Sequence, residues 1–372
     1  MIELCIKYTK LKIFEVRFML KNRKISVLFE DCIIEYNDLW FFSKQMNGLF
    51  RMNINNGKVE YISSIPGFSF QTERLVVKII KLNEKIFCIP FKCEHLWIYN
   101  IEFNTWESIE IINENEKNKI GYFFQAILYN DCIYMIPTFC DYIVSFRLET
   151  YEVHKNFFVD EQLNEKRKNN NDCYFRTDYA IKNNILYLVS CCDCRVMLLD
   201  LRTENIMWKN LNGIDYTLSG IVYDGEKFWI APRNSGEIFT WDGDKVIEKI
   251  YSPKLDNCYF AGITNYNGQI AVIGQSECGN IIFDKQHPDG YVKYENYLAY
   301  KVLNDNRDLV KVKHNSEIEV YIDFEKKWEG KCCVEVCKLV EHIPCSSIEK
   351  ESNIFTLDMF LKSLMNKRSY NK

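Results

Sequence analysis

A repeated pattern of short apolar runs constrains the fold of this chain more than any other feature of its sequence. Six of these runs end in a small residue or a proline, and the end residues, here called anchors, are spaced by 47, 47, 53, 42 and 42 residues. The anchors are Ser43, Pro90, Pro137, Ser190, Pro232 and Gly274. A period of roughly 40–50 residues is typical of propellers built from four-stranded units. We therefore interpret the chain as one supersecondary unit repeated several times.

The residues at fixed distances from each anchor indicate that the unit consists of strands. The positions seven and nine residues after the six anchors are all apolar, whereas the position between them is mixed, which is the period-two signature of a strand. Five of the six residues ten positions after the anchors are Asn or Asp, which favour turns. Hairpin dipeptides occur at Asp224-Gly225 and Gly243-Asp244. These patterns predict four strands in each unit.

The fold class that follows is all-β, namely a β-propeller of about seven four-stranded blades. A seventh unit is degenerate, because its anchor position is Lys313 and its aromatic residue is replaced by Val310. The sequence therefore leaves six or seven blades open. A β-solenoid would have a shorter period, and a two-sheet sandwich would not repeat the same ten-residue offset from unit to unit.

The columns resemble those of kelch-type propellers and of the galactose-oxidase central domain. In that family the third strand ends in a Tyr-Asp-like pair, and the fourth strand carries a Trp. The matching residues are Tyr99-Asn100, Leu199-Asp200 and Trp241-Asp242, with Trp106, Trp208 and Trp328. The chain lacks the family's Gly-Gly doublet after the second strand. The resemblance covers roughly residues 25–340 and implies a propeller. It implies no single function, because such propellers include binding proteins, lyases, epimerases and oxidases.

The two ends of the chain differ in pattern from the repeats. Residues 1–22 alternate apolar and charged side chains, and we expect this strand segment to close the ring by pairing with the last blade near residues 328–340. The propeller domain would then comprise residues 1–344. Residues 345–372 are predicted to form a short amphipathic helix and a tail, with Leu357, Phe360 and Leu364 on one face. That helix would either pack on the propeller or dock a partner.

Composition excludes several classes of function. The net charge is −4 and no basic stripe is present, so we expect no nucleic-acid partner. No apolar run approaches the roughly 18 residues of a membrane-spanning helix, and we expect a cytoplasmic protein without a membrane partner. The 16 cysteines are expected to be thiols. Because paired CxxC motifs are missing, we predict no bound metal and no cofactor. A soft-metal site is the alternative for the loop cysteines Cys93, Cys140, Cys191, Cys192, Cys194 and Cys278.

Candidate binding residues lie where the first strand of each unit begins beside the ring axis. Twelve residues before the anchors a polar side chain recurs, and three arginines could add donors for an anion. The polar column contains Asp31, Lys78, Gln125, Asp178 and Lys301, and the arginines are Arg74, Arg176 and Arg233. We expect these strand ends to be solvated at the mouth of a central channel. The polar run Asn164–Asp172 is predicted to be a loop.

Two functions remain open from the sequence. The favoured one is a non-enzymatic binding or scaffold propeller that recognises a protein or peptide through one face of the ring. This face carries the 2–3 loops, between the second and third strands of a blade, and the 4–1 loops, from the fourth strand of one blade to the first strand of the next. The alternative is an enzyme of the lyase or epimerase type that acts on a small polar substrate at the channel mouth. In that case Asp178, Asp31 and Lys78 would be its acid and base groups.

Overall fold

The computed structural model describes most of the chain between Lys24 and Glu335. The gaps in this description are residues 54–58, 114–120, 171–172, 177, 234, 251–259, 267–268, 275–279, 284–290, 295–299, 302–308, 311–317 and 323–327. The predicted strand segment 1–22 and the predicted C-terminal helix and tail, 345–372, lie outside the described residues.

Antiparallel strands account for almost all of the described structure. Blade 1 contains β1 (Lys24–Glu35), β2 (Asp38–Ser43), β3 (Leu49–Asn53) and β4 (Val59–Ser63). Blade 2 contains β5 (Val76–Leu82), β6 (Lys85–Pro90), β7 (His95–Asn100) and β8 (Thr105–Glu110). Blade 3 contains β9 (Phe123–Tyr129), β10 (Cys132–Pro137), β11 (Tyr142–Arg147) and β12 (Val153–Phe157). Helix α1 (Glu161–Asn170) follows.

The remaining blades repeat this order. Blade 4 contains β13 (Ala180–Lys182), β14 (Ile185–Val189), β15 (Arg195–Asp200) and β16 (Ile206–Asn210). Blade 5 contains β17 (Leu218–Tyr223), β18 (Phe228–Pro232), β19 (Ile238–Trp241) and β20 (Val246–Ile250). Blade 6 contains β21 (Phe260–Tyr266), β22 (Gln269–Gly274), β23 (Asn280–Phe283) and β24 (Tyr291–Tyr294). The last strands are β25 (Tyr300–Lys301), β26 (Leu309–Val310), β27 (Ile318–Ile322) and β28 (Trp328–Glu335).

The sheets are arranged as the blades of a β-propeller, as predicted. In blades 2 to 6 the four strands pair in chain order. Innermost strands of neighbouring blades contact one another where β5 meets β1 and β9, and where β17 meets β13 and β21. Five of the six anchors end a second strand, and the sixth, Ser190, directly follows β14. The number of blades, six or seven, remains a prediction, because β25 and β26 form a separate pair while β27 and β28 join the sheet of blade 1.

The hydrophobic core lies between neighbouring blades. Tyr187 of blade 4 contacts Phe228 of blade 5, with ring centroids 4.4 Å apart, and Phe228 in turn contacts Trp241. Phe228 and Trp241 are completely buried. Burial of apolar surface stabilises by roughly 25 cal/mol per Å², so the interfaces between blades hold the ring together.

The two ends of the described chain pair with each other. The first half of β1 runs antiparallel to β28, from Lys24 opposite Glu335 to Phe29 opposite Gly330. The second half of β1 pairs with β2 as the first strand of blade 1. A single strand therefore joins β28 to blade 1, and it lies directly after the segment predicted for this role.

The polar run Asn164–Asp172 is not simply a loop, contrary to the prediction. Residues Glu161–Asn170 form helix α1 in the connection between blades 3 and 4. Asp160 caps this helix, because its Oδ1 accepts a hydrogen bond of 2.7 Å from the Leu163 amide. The Leu163 side chain is completely buried, and Asp160 also pairs with Arg195 of blade 4 at 2.6 Å. One cap and one buried leucine thus hold a helix whose other residues are polar.

Candidate functional site

The connections between second and third strands, and those from one blade to the next, emerge at the same end of the blades. We call this end the loop face. Its described residues are 44–48, 64–75, 91–94, 111–113, 121–122, 138–141, 158–170, 173–176, 178–179, 190–194, 211–217, 233 and 235–237. The tight turns of each blade lie on the opposite face.

Backbone hydrogen bonds link the loop face from blade 1 to blade 5. Each connection between blades donates to, or accepts from, the 2–3 loops on either side of it. The amide-to-carbonyl pairs are Arg74 to Lys44 (2.9 Å), Phe91 to Leu75 (2.8 Å), Tyr122 to Phe91 (3.0 Å), Thr138 to Tyr122 (2.9 Å), Tyr174 to Thr138 (3.0 Å), Cys191 to Tyr174 (2.9 Å), Leu218 to Ser190 (3.2 Å) and Arg233 to Thr217 (2.8 Å). We call this series the hydrogen-bond belt. Because the belt satisfies backbone groups that would otherwise need water, it holds these loops in one conformation.

A buried side chain adds to the belt in blade 1. The Asn47 amide nitrogen donates to the carbonyls of Ile65 (2.9 Å) and Phe68 (3.2 Å), and its Oδ1 accepts from the Ile65 amide at 2.9 Å. Asn47 is completely buried. Its side chain therefore fixes the connection from blade 1 to blade 2 by mimicking a strand partner.

Residues of the predicted polar column contact neighbouring blades at the inner edge of the ring. The Lys78 ammonium donates to Gln125 Oε1 on the next blade at 2.6 Å. Asp31 Oδ2 accepts from the Ile79 amide of blade 2 at 3.3 Å. Contacts between neighbouring blades thus run through the column residues. The Lys301 side chain lies outside the described residues.

Asp178 of blade 4 reaches across blade 5 to blade 6. Its Oδ2 accepts a hydrogen bond of 2.7 Å from the Ile263 amide. It occupies the space above Gly220 and Gly262, where an added Cβ would lie 2.4 Å from Oδ2 in both cases. Both glycines stand twelve residues before their anchors, so they belong to the same column as Asp178. The two glycines therefore follow the spacing of the column, although they carry no polar side chain.

The expectation that these strand ends are solvated is wrong for the described members of the column. Asp31, Lys78 and Asp178 are 5%, 4% and 2% exposed, and Gln125 is completely buried. Blades converge at the axis, so the side chains that begin their first strands fill each other's space and bond to neighbouring backbones. Replacing Lys78 and Asp178 together by Ala should therefore destabilise the ring, whereas a solvated site would tolerate the change.

The three predicted arginines lie on the loop face, two of them within the belt and Arg176 next to it. The Arg74 guanidinium stacks over the Phe91 ring, 4.1 Å from its centroid. Burial lowers the pKa of Arg233. Arg176 is 6% exposed, and within the described part of the chain its Nη1 has no hydrogen-bond partner.

The loop cysteines are mostly buried and protonated. Burial raises the pKa of Cys93 and that of Cys192 to about 12. A hydrogen bond with Cys173, together with burial, raises the pKa of Cys191 well above its usual value. Burial therefore keeps these thiols neutral and unreactive. No group of three His, Cys, Asp or Glu residues is placed to hold a metal among the residues described, and Cys278 lies outside them.

Comparisons with known proteins establish the fold class. No protein-family model matches the chain. No curated protein matches it either. A structure of a catalytically inactive virginiamycin B lyase from Staphylococcus aureus with quinupristin is similar, with a TM-score of 0.57 and 8% identity over 84% of this chain and 96% of that one. A streptogramin B lyase structure has a TM-score of 0.55 and 10% identity, covering 83% and 98%.

The extracellular domain of a hybrid two-component system from B. thetaiotaomicron is also similar, with a TM-score of 0.51, 10% identity, and coverage of 83% of this chain and 38% of that one. Identities this low show the β-propeller fold alone, and these neighbours differ in role. Membership of the kelch-type family remains a prediction. In the described part of the structure, no helix has the length and hydropathy to cross a membrane.

Proposed function

We propose that this propeller is a non-enzymatic binding or scaffold module that recognises a protein or peptide partner through its loop face. The observation that supports this most is the hydrogen-bond belt from Lys44 to Arg233. Loops that are already ordered lose little conformational entropy when a partner binds, and rigid scaffolds commonly carry recognition on such loops.

The arginines provide the chemistry of recognition in this proposal. Arg74 and Arg233 are themselves belt residues, and Arg176 follows the belt residue Tyr174 by two positions. A guanidinium presents a planar set of donors that matches carboxylates. We infer that these arginines contact the partner and that the polar column, Asp31, Lys78, Gln125, Asp178 and Lys301, supports the strands that carry them.

The lyase or epimerase alternative would use Asp178, Asp31 and Lys78 as acid and base groups. A general base must come within hydrogen-bond reach of the substrate proton that it removes. Asp178 and Asp31 instead accept hydrogen bonds from backbone amides of other blades, and Lys78 donates to Gln125. These groups are engaged in bonds between blades, which favours a binding role for the propeller over catalysis at the axis.

Capture of partners by matched charge-reversal variants of the full chain tests the face. The loop-face variant carries Lys92→Glu and Lys168→Glu, and the control on the opposite face carries Arg202→Glu and Lys245→Glu. All four side chains are exposed. The expected result is a partner that binds the wild type and the control but not the loop-face variant, with slowed amide exchange at residues 91–94 in the complex. Retention by the loop-face variant, with loss by the control, would contradict the proposal.

A further inference from the structure

Arg176 lies in a closed setting between the loops of blades 3 and 4. The backbone two residues before it is held on both sides, because the Tyr174 amide donates to the Thr138 carbonyl at 3.0 Å and the Tyr174 carbonyl accepts from the Cys191 amide at 2.9 Å. Arg176 itself is 6% exposed. The backbone that leads to Arg176 is therefore held within the belt, and only a small part of the residue faces solvent.

Among the described residues no carboxylate forms an ion pair with this cation. The Arg side chain stays protonated in proteins, and burying an unpaired charge is costly. Asp193, in the adjoining loop, pairs with Arg195 and Lys166 instead. The pKa of Cys191 is raised by its hydrogen bond with Cys173 and by burial, and the nearby Arg176 lowers it only in part, so the thiol stays neutral.

Two buried polar atoms at this junction have no hydrogen-bond partner among the described residues. They are Nη1 of Arg176 and Oγ1 of Thr138, and Thr138 is completely buried. Buried polar atoms are normally bonded, so such exceptions indicate a group that comes from elsewhere. A cation and a hydroxyl at the same junction of loops are the donors that an oxygen anion needs.

We propose that Arg176 binds a carboxylate group of the partner, with the Thr138 hydroxyl as a second donor. This inference rests on the proposed function and names the chemistry that the loop face recognises. One guanidinium balances one negative charge, which fits a carboxylate better than a phosphate, whose charge of about −2 usually calls for several arginines. The planar fork of the guanidinium also matches the two carboxylate oxygens. The carboxylate would come from an acidic side chain or from a free chain terminus.

The test uses small carboxylates on the purified full chain. Thermal unfolding is followed in sodium acetate against sodium chloride at equal ionic strength and pH 7.5, for the wild type, for Arg176→Gln and for the exposed-arginine control Arg202→Gln. Acetate at about ten times its Kd should raise the Tm of the wild type and of the control by about 2 °C. Arg176→Gln should lose this rise, and in chloride it should melt no lower than the wild type, because a neutral amide replaces an unpaired charge.

Further arms identify the source of the carboxylate. N-acetylglycine mimics a chain terminus. N-acetylaspartate with its α-carboxyl group blocked as an amide mimics an acidic side chain. The compound that gives the larger Arg176-dependent rise in Tm identifies the source. A larger rise with phosphate than with acetate, lost in Arg176→Gln, would overturn the carboxylate assignment. An equal response to acetate in the wild type and in Arg176→Gln would overturn the site. Capture of the partner by Arg176→Gln with undiminished affinity would also overturn the site, while leaving the loop-face proposal standing.

Discussion

The space that Asp178 occupies above two glycines leads to a sharp prediction about the inner edge of the propeller. An added Cβ at Gly262 would lie 2.4 Å from Asp178 Oδ2, 3.2 Å from Cγ and 3.4 Å from Oδ1, so the carboxylate must move if residue 262 becomes Ala. Gly262 has no positive φ, and alanine would otherwise be tolerated in its strand. We therefore expect Gly262→Ala to destabilise the chain through Asp178 alone.

The size of the effect follows from two contributions. Overpacking costs about 1–3 kcal/mol, and loss of the hydrogen bond to the buried Ile263 amide costs about 1–3 kcal/mol. The lower backbone entropy of unfolded alanine returns about 0.5–1 kcal/mol, which leaves a net loss of about 1–5 kcal/mol. With an unfolding entropy of about 2.1 cal/mol/K per residue over 372 residues, the Tm should fall by about 1–6 °C.

A double-mutant cycle with Asp178→Ala separates this cause from a general intolerance of alanine. In the Asp178→Ala background Gly262→Ala should cost almost nothing, so the coupling should equal the loss in the wild type, about 1–5 kcal/mol by thermal or denaturant unfolding. Gly220→Ala is the matched comparison, because its Cβ would also lie 3.1 Å from the Ile263 backbone nitrogen and would stay costly without Asp178. Additive losses for Gly262→Ala and Asp178→Ala would refute the reasoning.

Three further substitutions test the loops and the turns. Asn47→Ala should cost about 2–3 kcal/mol and increase proteolysis at residues 64–68, because three hydrogen bonds are lost, two of them buried; unchanged cleavage there would contradict the role of Asn47. Backbone amides lower the pKa values of Asp200 and Asp242, so their stabilisation is present above the unfolded value of about 4 and is lost as pH falls through the folded pKa. Replacing both by Asn should lower the Tm at pH 7, and the difference in Tm between wild type and variant should be smaller at pH 3. A difference in Tm that is the same at both pH values would contradict the role of the two carboxylates. Tyr36→Gly should stabilise by about 0.5–1 kcal/mol, measured by denaturant unfolding, because this 95% exposed tyrosine adopts φ 53°; a loss of stability would show that its ring makes a useful contact.

The opposite face was the part of the structure most open to prediction from sequence. Asp200 accepts hydrogen bonds from the amides of Arg202 and Thr203, and Asp242 does the same for Asp244 and Lys245. These contacts span two or three residues along the chain, so the residue type and its position in the repeat were enough to predict them.

Helix α1 shows where local patterns were insufficient. The run of Asn, Glu, Lys and Arg between residues 164 and 172 has no apolar face, and a loop was the natural expectation. The helix depends on the Asp160 cap and on the ion pair between Asp160 and Arg195, which lies 35 residues away. Tertiary contacts rather than intrinsic preference therefore decide its structure.

The sequence by itself determined the repeat, the four strands of the unit, the positions of the turns and the register that aligns Asp31, Lys78, Gln125 and Asp178. These features depend on side-chain alternation and on turn chemistry, which act over a few residues. Only the tertiary structure decided that this column is buried, that glycines complete it and that a belt joins the loops. The bond from Asp178 to Ile263 joins residues 85 positions apart. Whether such a side chain meets water or a neighbouring blade depends on how closely the blades converge at the axis. That spacing between blades is a property of the whole ring, and a pattern of a few residues does not specify it.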